Sequence, residues 1–273
     1  MKTSFYLVII LSVFSCNTQS SYHNDPIPTH DSFILTSKHV KENRTINVWT
    51  PNNYKELNKK LPVLYMPDGG TKEDFPHIAN TLDTLIQQHK IPEIILVGIE
   101  NTKRGRDLTG ESKIKEHEQY NIPMTDGAKN FRAFIKNELI PEINKRYKTN
   151  NEKGIIGESL AGLFVMETFF KQPSLFDFYI AMDPSLWWNN NYLVNNAKQF
   201  LENYPEKDTK IWFAGSNAQD IQKYTRELAS FLEHNSTTNL TWNYSDQPNE
   251  KHNTIYRATK AKALIWSLNK TEQ

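Results

Sequence analysis

From about residue 31 onward, short apolar runs alternate with longer amphipathic ones. Ser32-Phe33-Ile34-Leu35-Thr36 and Thr45-Ile46-Asn47-Val48-Trp49 predict a pair of strands, with a hairpin turn at Glu42-Asn43. Runs at 61–66, 94–99, 154–156, 179–182, 209–215 and 240–244 predict six more strands. The unbroken apolar run at 94–97 implies cover on both faces, as in a mainly parallel sheet. Between the strands, residues 75–89, 126–145, 160–171, 190–204, 221–234 and 254–268 predict helices. Ile78, Leu82 and Ile86 share one face of the first. Phe131, Phe134, Ile135, Leu139 and Ile143 share one face of the second, with Pro141 a kink near its end. Helix 160–171 is apolar almost all round, so it is expected deep against the sheet.

The first thirty residues break this pattern. Met1-Lys2-Thr3 is a short positive start and Phe5 to Phe14 is almost wholly apolar, too short for a membrane span. Residues 1–15 therefore predict a signal peptide. Val13-Phe14-Ser15-Cys16 resembles a bacterial lipoprotein signal, although Phe14 is bulkier than the usual residue there. That resemblance implies cleavage before Cys16, lipidation on it, and an exported protein anchored on the periplasmic or surface side of the envelope. Cys16 is the single cysteine, so the folded part must rely on its core rather than on disulfides. Residues 16–30 predict a tether with His23 and His30 facing solvent, and 31–273 one domain. Lys and Arg number 32 against 31 Asp and Glu, a net charge of +1 that calls for no nucleic-acid partner.

Gly154 to Met166 reads as strand, tight turn and helix, with Ser159 at the turn. Such a turn lifts a serine hydroxyl above the end of a sheet and needs small neighbours, here Gly157 and Ala161. The strand at 61–66 ends in Pro67-Asp68-Gly69-Gly70. The N–H of Leu160 and one from Gly69 or Gly70 are expected to hold a tetrahedral oxyanion. His252, in the polar loop between the last strand and the last helix, is the expected base for Ser159. Three carboxylates compete to orient its ring. Asp220, after the strand ending at Gly215, leads; Asp183 follows the neighbouring strand, and Glu250 is two residues from His252. Trp187 and Trp188 lie just past a strand end and cannot both point one way, so one is expected to line a pocket. The charged stretch 101–121 has no apolar period and is expected to roof the site. Within it, Arg104 and Arg106 either meet an anionic substrate group or form structural salt bridges. No metal-ligand spacing is present.

Taken together, these motifs resemble the putative-esterase family of α/β hydrolases, which is similar to enterochelin esterases and includes feruloyl and acetyl-xylan esterases. The likeness is carried by Arg44-Thr45-Ile46-Asn47-Val48 leading to Pro51, and by Leu64-Tyr65-Met66-Pro67-Asp68-Gly69. It continues through Arg104, Arg106-Asp107-Leu108-Thr109, the Gly157 to Gly162 turn and Ser185-Leu186-Trp187-Trp188, covering residues 32–270. Ala161 departs from the usual glycine, and Asp183 stands where the family often has serine. The resemblance implies an α/β-hydrolase fold with a central, mostly parallel sheet and helices on both faces. It also implies a triad of Ser159, His252 and one of the three acids, Asp220 leading, that needs no metal or organic cofactor. The expected substrate is a small-molecule or glycan ester: siderophore, feruloyl or acetyl-sugar. Trp187, Trp188, Arg104 and Arg106 are the expected substrate-binding residues. A non-catalytic envelope binding protein and an acyltransferase are the alternatives, and the oligomeric state is not legible.

Overall fold

Eight of the apolar runs become strands in the computed structural model, which describes residues 25–202 and 204–269. The expected signal peptide, Cys16 and His23 lie outside the described residues. The strands are β1 (Asp31–Ser37), β2 (Glu42–Trp49), β3 (Leu61–Pro67), β4 (Ile95–Ile99), β5 (Thr149–Glu158), β6 (Phe178–Met182), β7 (Thr209–Gly215) and β8 (Leu240–Asp246). They form one sheet in the order β1-β2-β4-β3-β5-β6-β7-β8. β1 and β2 run antiparallel to each other, and β2 to β4. Every other neighbouring pair is parallel, so the sheet is mostly parallel, as the apolar runs predict.

The helices are α1 (Phe75–Gln87), α2 (Arg104–Leu108), α3 (Gly127–Phe134), α4 (Ile140–Arg146), α5 (Leu160–Lys171), α6 (Trp188–Asn195), α7 (Ala197–Leu201), α8 (Gln219–Asn235) and α9 (Ile255–Leu268). α1 and α9 pack their apolar stripes on one face of the sheet, around Leu64, Leu96, Ile156 and Trp212. α3 to α8 cover the other, around Tyr65, Val97, Ile155 and Phe213. Every residue of β3, β4 and β6 is buried as a result.

Two expected helices are broken. The one expected at 126–145 is interrupted by a wide π turn, Ile135–Leu139, directly before α4. Pro141 explains the break, because it has no N–H and its ring crowds the carbonyl one turn back. The helix expected at 190–204 is α6 followed by α7, and Asn189, Asn190 and Asn191 take left-handed φ of 49°, 55° and 48°. Asparagine tolerates that region better than most residues.

The tether expectation also changes where residues 25–30 are described. Asp25 pairs with Arg257 on α9, and the Pro26 carbonyl accepts from Asn80 Nδ2 on α1 at 2.7 Å. His30 is half-buried with its ring edge-on to Phe75 at 5.2 Å, so it does not simply face solvent.

The C-terminal ends of three adjacent strands share one feature. The first residue after β3, β5 and β6 is Asp68, Ser159 and Asp183, with φ of 56°, 58° and 46°. Each turn costs about 1–3 kcal/mol and persists only where surrounding contacts fix it. These three strained residues bring the chemistry to one edge.

Candidate active site

Ser159 sits between the last residue of β5 and the first of α5, at φ 58° and ψ −118°. Its N–H donates to the Met182 carbonyl at 3.0 Å, and its carbonyl accepts from Ser185 N–H at 3.1 Å and Leu163 N–H at 2.8 Å. The serine backbone is thus clamped from both neighbouring segments. A Cβ on Gly157 would lie 2.7 Å from the Ala161 carbonyl carbon and oxygen, which is why glycine stands two residues before the serine. A Cβ on Gly162 would lie 2.9 Å from the Met182 carbonyl oxygen. The extra methyl of Ala161 is accommodated because the crowding falls on Gly157 instead.

His252 Nε2 lies 3.1 Å from Ser159 Oγ, and Nδ1 lies 2.6 Å from Asp183 Oδ2. A carboxylate can only accept, so Nδ1 carries the proton and Nε2 is left to accept the serine hydroxyl. The acid is therefore a correction: Asp183, not Asp220, lies against the imidazole. Asp220 is exposed in the first turn of α8, where a carboxylate complements the positive end of the helix. Glu250 is occupied elsewhere, accepting from Thr254 Oγ1 at 2.6 Å.

Asp183 is fully buried and well held. Its Oδ1 accepts from Ser216 N–H at 2.6 Å, and its Oδ2 accepts from Ser216 Oγ at 2.8 Å as well as from the imidazole. The side-chain exposure rises from 0% at Asp183 to 42% at His252, so the charge is fixed inside while the ring stays accessible. The histidine loop is tied to the end of β7: Gln247 N–H donates to the Gly215 carbonyl and Asn217 N–H to the Glu250 carbonyl, both at 2.9 Å.

Leu160 opens α5, so its N–H is one of the four donors at a helix start with no partner inside the helix. The glycines differ from expectation. Gly69 N–H donates to the Ile99 carbonyl at 3.0 Å, and Gly70 N–H donates to Glu73 Oε2 at 2.7 Å. Neither is unpaired.

Both expected anion-binding arginines are engaged within the protein. Arg106 forks Glu42 at 2.7 and 3.0 Å and holds that carboxyl down at about 2. Arg104 forks Asp68 at 2.7 and 2.8 Å and reaches the Glu158 carbonyl at 3.5 Å, linking the loop after β3 to the serine turn. Burial pushes the Glu158 carboxyl well above the ordinary range, with the charges of Asp74, Asp183 and Asp68 adding to it.

The tryptophans part company. Trp188 is buried, donates Nε1 to the Gly110 carbonyl at 3.0 Å and stacks on His117 at 4.6 Å. Trp187 is half-buried and lies beside His117 and the exposed Tyr120, at 5.4 and 5.1 Å. The stretch expected to roof the site forms α2 and a short 3₁₀ turn, Lys115–Tyr120, and meets this aromatic group through Gly110, His117 and Tyr120. Burial pushes the His117 imidazole below its usual value. A groove of about 540 Å³ near Pro51, Asp83 and His89 contains none of the triad residues, so hydrogen-bond geometry rather than cavity size marks this site.

Several supporting residues carried no readable chemical signal. Arg44 and Asp107 form a buried ion pair between β2 and α2. Asn47 Nδ2 donates to the Gly69 carbonyl at 2.9 Å. Both lie in stretches that carry the resemblance, and both hold loops rather than face the serine hydroxyl. Ser216 had one signal, its place directly after a strand end beside β6.

A strained serine at a strand-to-helix turn, backed by histidine and a buried aspartate above a mostly parallel sheet, defines an α/β-hydrolase site. The model of the family described as "Putative esterase" matches residues 37–268, and the chain belongs to that family. It is 34% identical to the ferri-bacillibactin esterase BesA of Bacillus subtilis (strain 168) over 122 residues, 41% of this chain and 42% of that protein. It is 27% identical to a siderophore triacetylfusarinine C esterase of Aspergillus fumigatus over 145 residues, 51% and 50% of the two chains. The match thus spans about half the length of these relatives. Among solved structures, an IroE-like serine hydrolase from Shewanella oneidensis superposes with a TM-score of 0.80 at 27% identity, over 87% of this chain and 79% of that one.

Proposed function

We propose that the protein is a serine carboxylic-ester hydrolase working through an acyl-enzyme. The observation that carries this reading is the continuous hydrogen-bonded path Asp183–His252–Ser159. His252 Nε2 takes the hydroxyl proton as Ser159 Oγ attacks the ester carbonyl. Asp183 keeps the ring in the productive tautomer and stabilises the imidazolium. The Leu160 N–H, at the positive end of α5, meets the developing oxyanion. Collapse of the tetrahedral intermediate releases the alcohol, which takes its proton from His252. Water, deprotonated by the same ring, then frees the acid.

The substrate class we favour is a small-molecule ester of the siderophore type. Support comes from the activities named for several relatives, including an iron(III) salmochelin esterase of Escherichia coli O6:H1. Trp187 and Tyr120 offer an aromatic surface for a ring. Because Arg104 and Arg106 are paired internally, they are not free partners for a substrate anion. Export and anchoring through Cys16 complete the proposal. Cys16→Ser should move the protein from the membrane fraction to the soluble one; an unlipidated wild-type protein in an intact-mass spectrum would overturn the anchor alone.

The reaction is tested with an activated aryl ester under conditions where acylation outruns deacylation. A burst of alcohol stoichiometric with enzyme is expected, and Ser159→Ala should abolish it. Turnover unchanged in Ser159→Ala would refute Ser159 as the nucleophile, and a wild type with neither burst nor turnover would leave the non-catalytic binding function as the successor. Added alcohol acceptors that capture most of the acyl group would favour an acyltransferase instead.

A further inference from the structure

The loop leaving β3 is held by several bonds. The Gly69 carbonyl accepts from Asn47 Nδ2 at 2.9 Å. Gly69 N–H donates to the Ile99 carbonyl and Asp74 N–H to the Asp68 carbonyl, both at 3.0 Å. Arg104 forks the Asp68 carboxylate. One further bond differs in kind. The Glu73 side chain folds back over the loop, and its Oε2 accepts the Gly70 N–H at 2.7 Å and the Asn101 N–H at 3.4 Å. A Cβ on Gly70 would lie 2.9 Å from that same oxygen, so the carboxylate sits close against the glycine.

With Gly69 N–H committed to the sheet, Gly70 N–H is the remaining candidate for a second oxyanion donor. An N–H that holds a carboxylate cannot also hold a developing oxyanion, and two negative oxygens on one donor repel each other. We propose that Glu73 gates this donor: its side chain caps Gly70 N–H in the free protein and must leave it before the tetrahedral intermediate forms. The proposal rests on Ser159 being the acylated nucleophile. No covalent step is added; one hydrogen bond is exchanged for another. Burial pushes the Glu73 carboxyl above its usual range, against the opposing pull of the Gly70 hydrogen bond and with the charge of Asp68 adding to it. The loop keeps its other fastenings without it.

Glu73→Ala and Glu73→Gln are compared with wild type using 4-nitrophenyl acetate and an aryl phosphonate that labels serine. The alanine variant should raise kcat and the phosphonylation rate about 5- to 10-fold with KM little changed, because the freed donor acts mainly in the transition state. The glutamine variant, a neutral acceptor, should fall between. An alanine variant that folds and shows kcat at or below wild type would overturn the gate. If that variant does not fold, the glutamine variant decides by the same criterion. Failure of the serine reading looks different: wild type would then be neither labelled nor active, and the gate would fall with it.

Discussion

Two neighbouring parallel strands, β6 and β7, each run into a polar segment that carries an aspartate. Only one of those aspartates reaches the imidazole. Asp183 is the first residue after β6, turned by its positive φ into the sheet edge and fully buried. Asp220 comes five positions after the end of β7, exposed in the first turn of α8. What the end of β7 supplies is Ser216, whose N–H and hydroxyl both hold Asp183. A carboxylate at a helix start is stabilised by the helix itself and needs no partner, whereas one buried at a strand end must be hydrogen-bonded on every side. The second kind can hold a histidine ring in one orientation.

The sharpest way to break this comparison is to neutralise each aspartate in turn. Asp183→Asn should lower kcat about 10⁴-fold, because the ring loses the group that fixes its tautomer. Asp220→Asn should stay within about twofold, as expected for an exposed surface change. The reverse pattern in steady-state kinetics would return the acid to Asp220. A smaller effect sharpens the role of β7. Ser216→Ala removes one of three donors to Asp183 and keeps the backbone one, so kcat should fall about tenfold, with Asp183→Asn/Ser216→Ala no worse than Asp183→Asn alone.

The smallest effect separates the site from its scaffold. Arg106 foremost, with the Thr102 hydroxyl and the charge of Arg44, lowers the Glu42 carboxyl from 4.5 to about 2. A depressed folded value gives stability that is complete above the unfolded value and is lost as pH falls from about 4.5 toward 2. Glu42 is partly exposed, so about 1–3 kcal/mol is the scale. Glu42→Gln should flatten that part of a denaturant-monitored pH–stability curve while leaving the contrast between Asp183 and Asp220 intact.

The legible parts of the molecule were those written in local pattern. Val63 to Met66 and Ile95 to Ile99 announce buried strands by their apolar runs, and the Gly157–Ser159–Ala161 spacing announces a tight turn whatever surrounds it. His252 stood out by its place after the last strand. The acid did not, because what separates Asp183 from Asp220 is a backbone angle and a distance from a strand end, and neither is encoded in residue type. The two readings of the arginines could not be separated for a related reason: Arg106 and Arg104 find carboxylates 64 and 36 positions away, at Glu42 and Asp68, and only the folded sheet brings them together. The paired N–H groups of Gly69 and Gly70 were equally hidden, since a glycine-rich loop looks the same whether its donors are free or filled.

Mass spectrometry of the wild-type protein, acid-quenched during turnover of a slowly deacylated aryl ester and then digested, tests the central claim most directly. The expected result is one acyl group on the peptide containing Ser159, absent from Ser159→Ala. It should accumulate far more slowly in Asp183→Asn and at the wild-type rate in Asp220→Asn. Turnover with no acyl mass on that peptide, or acyl mass on another residue that tracks the rate, would contradict the account.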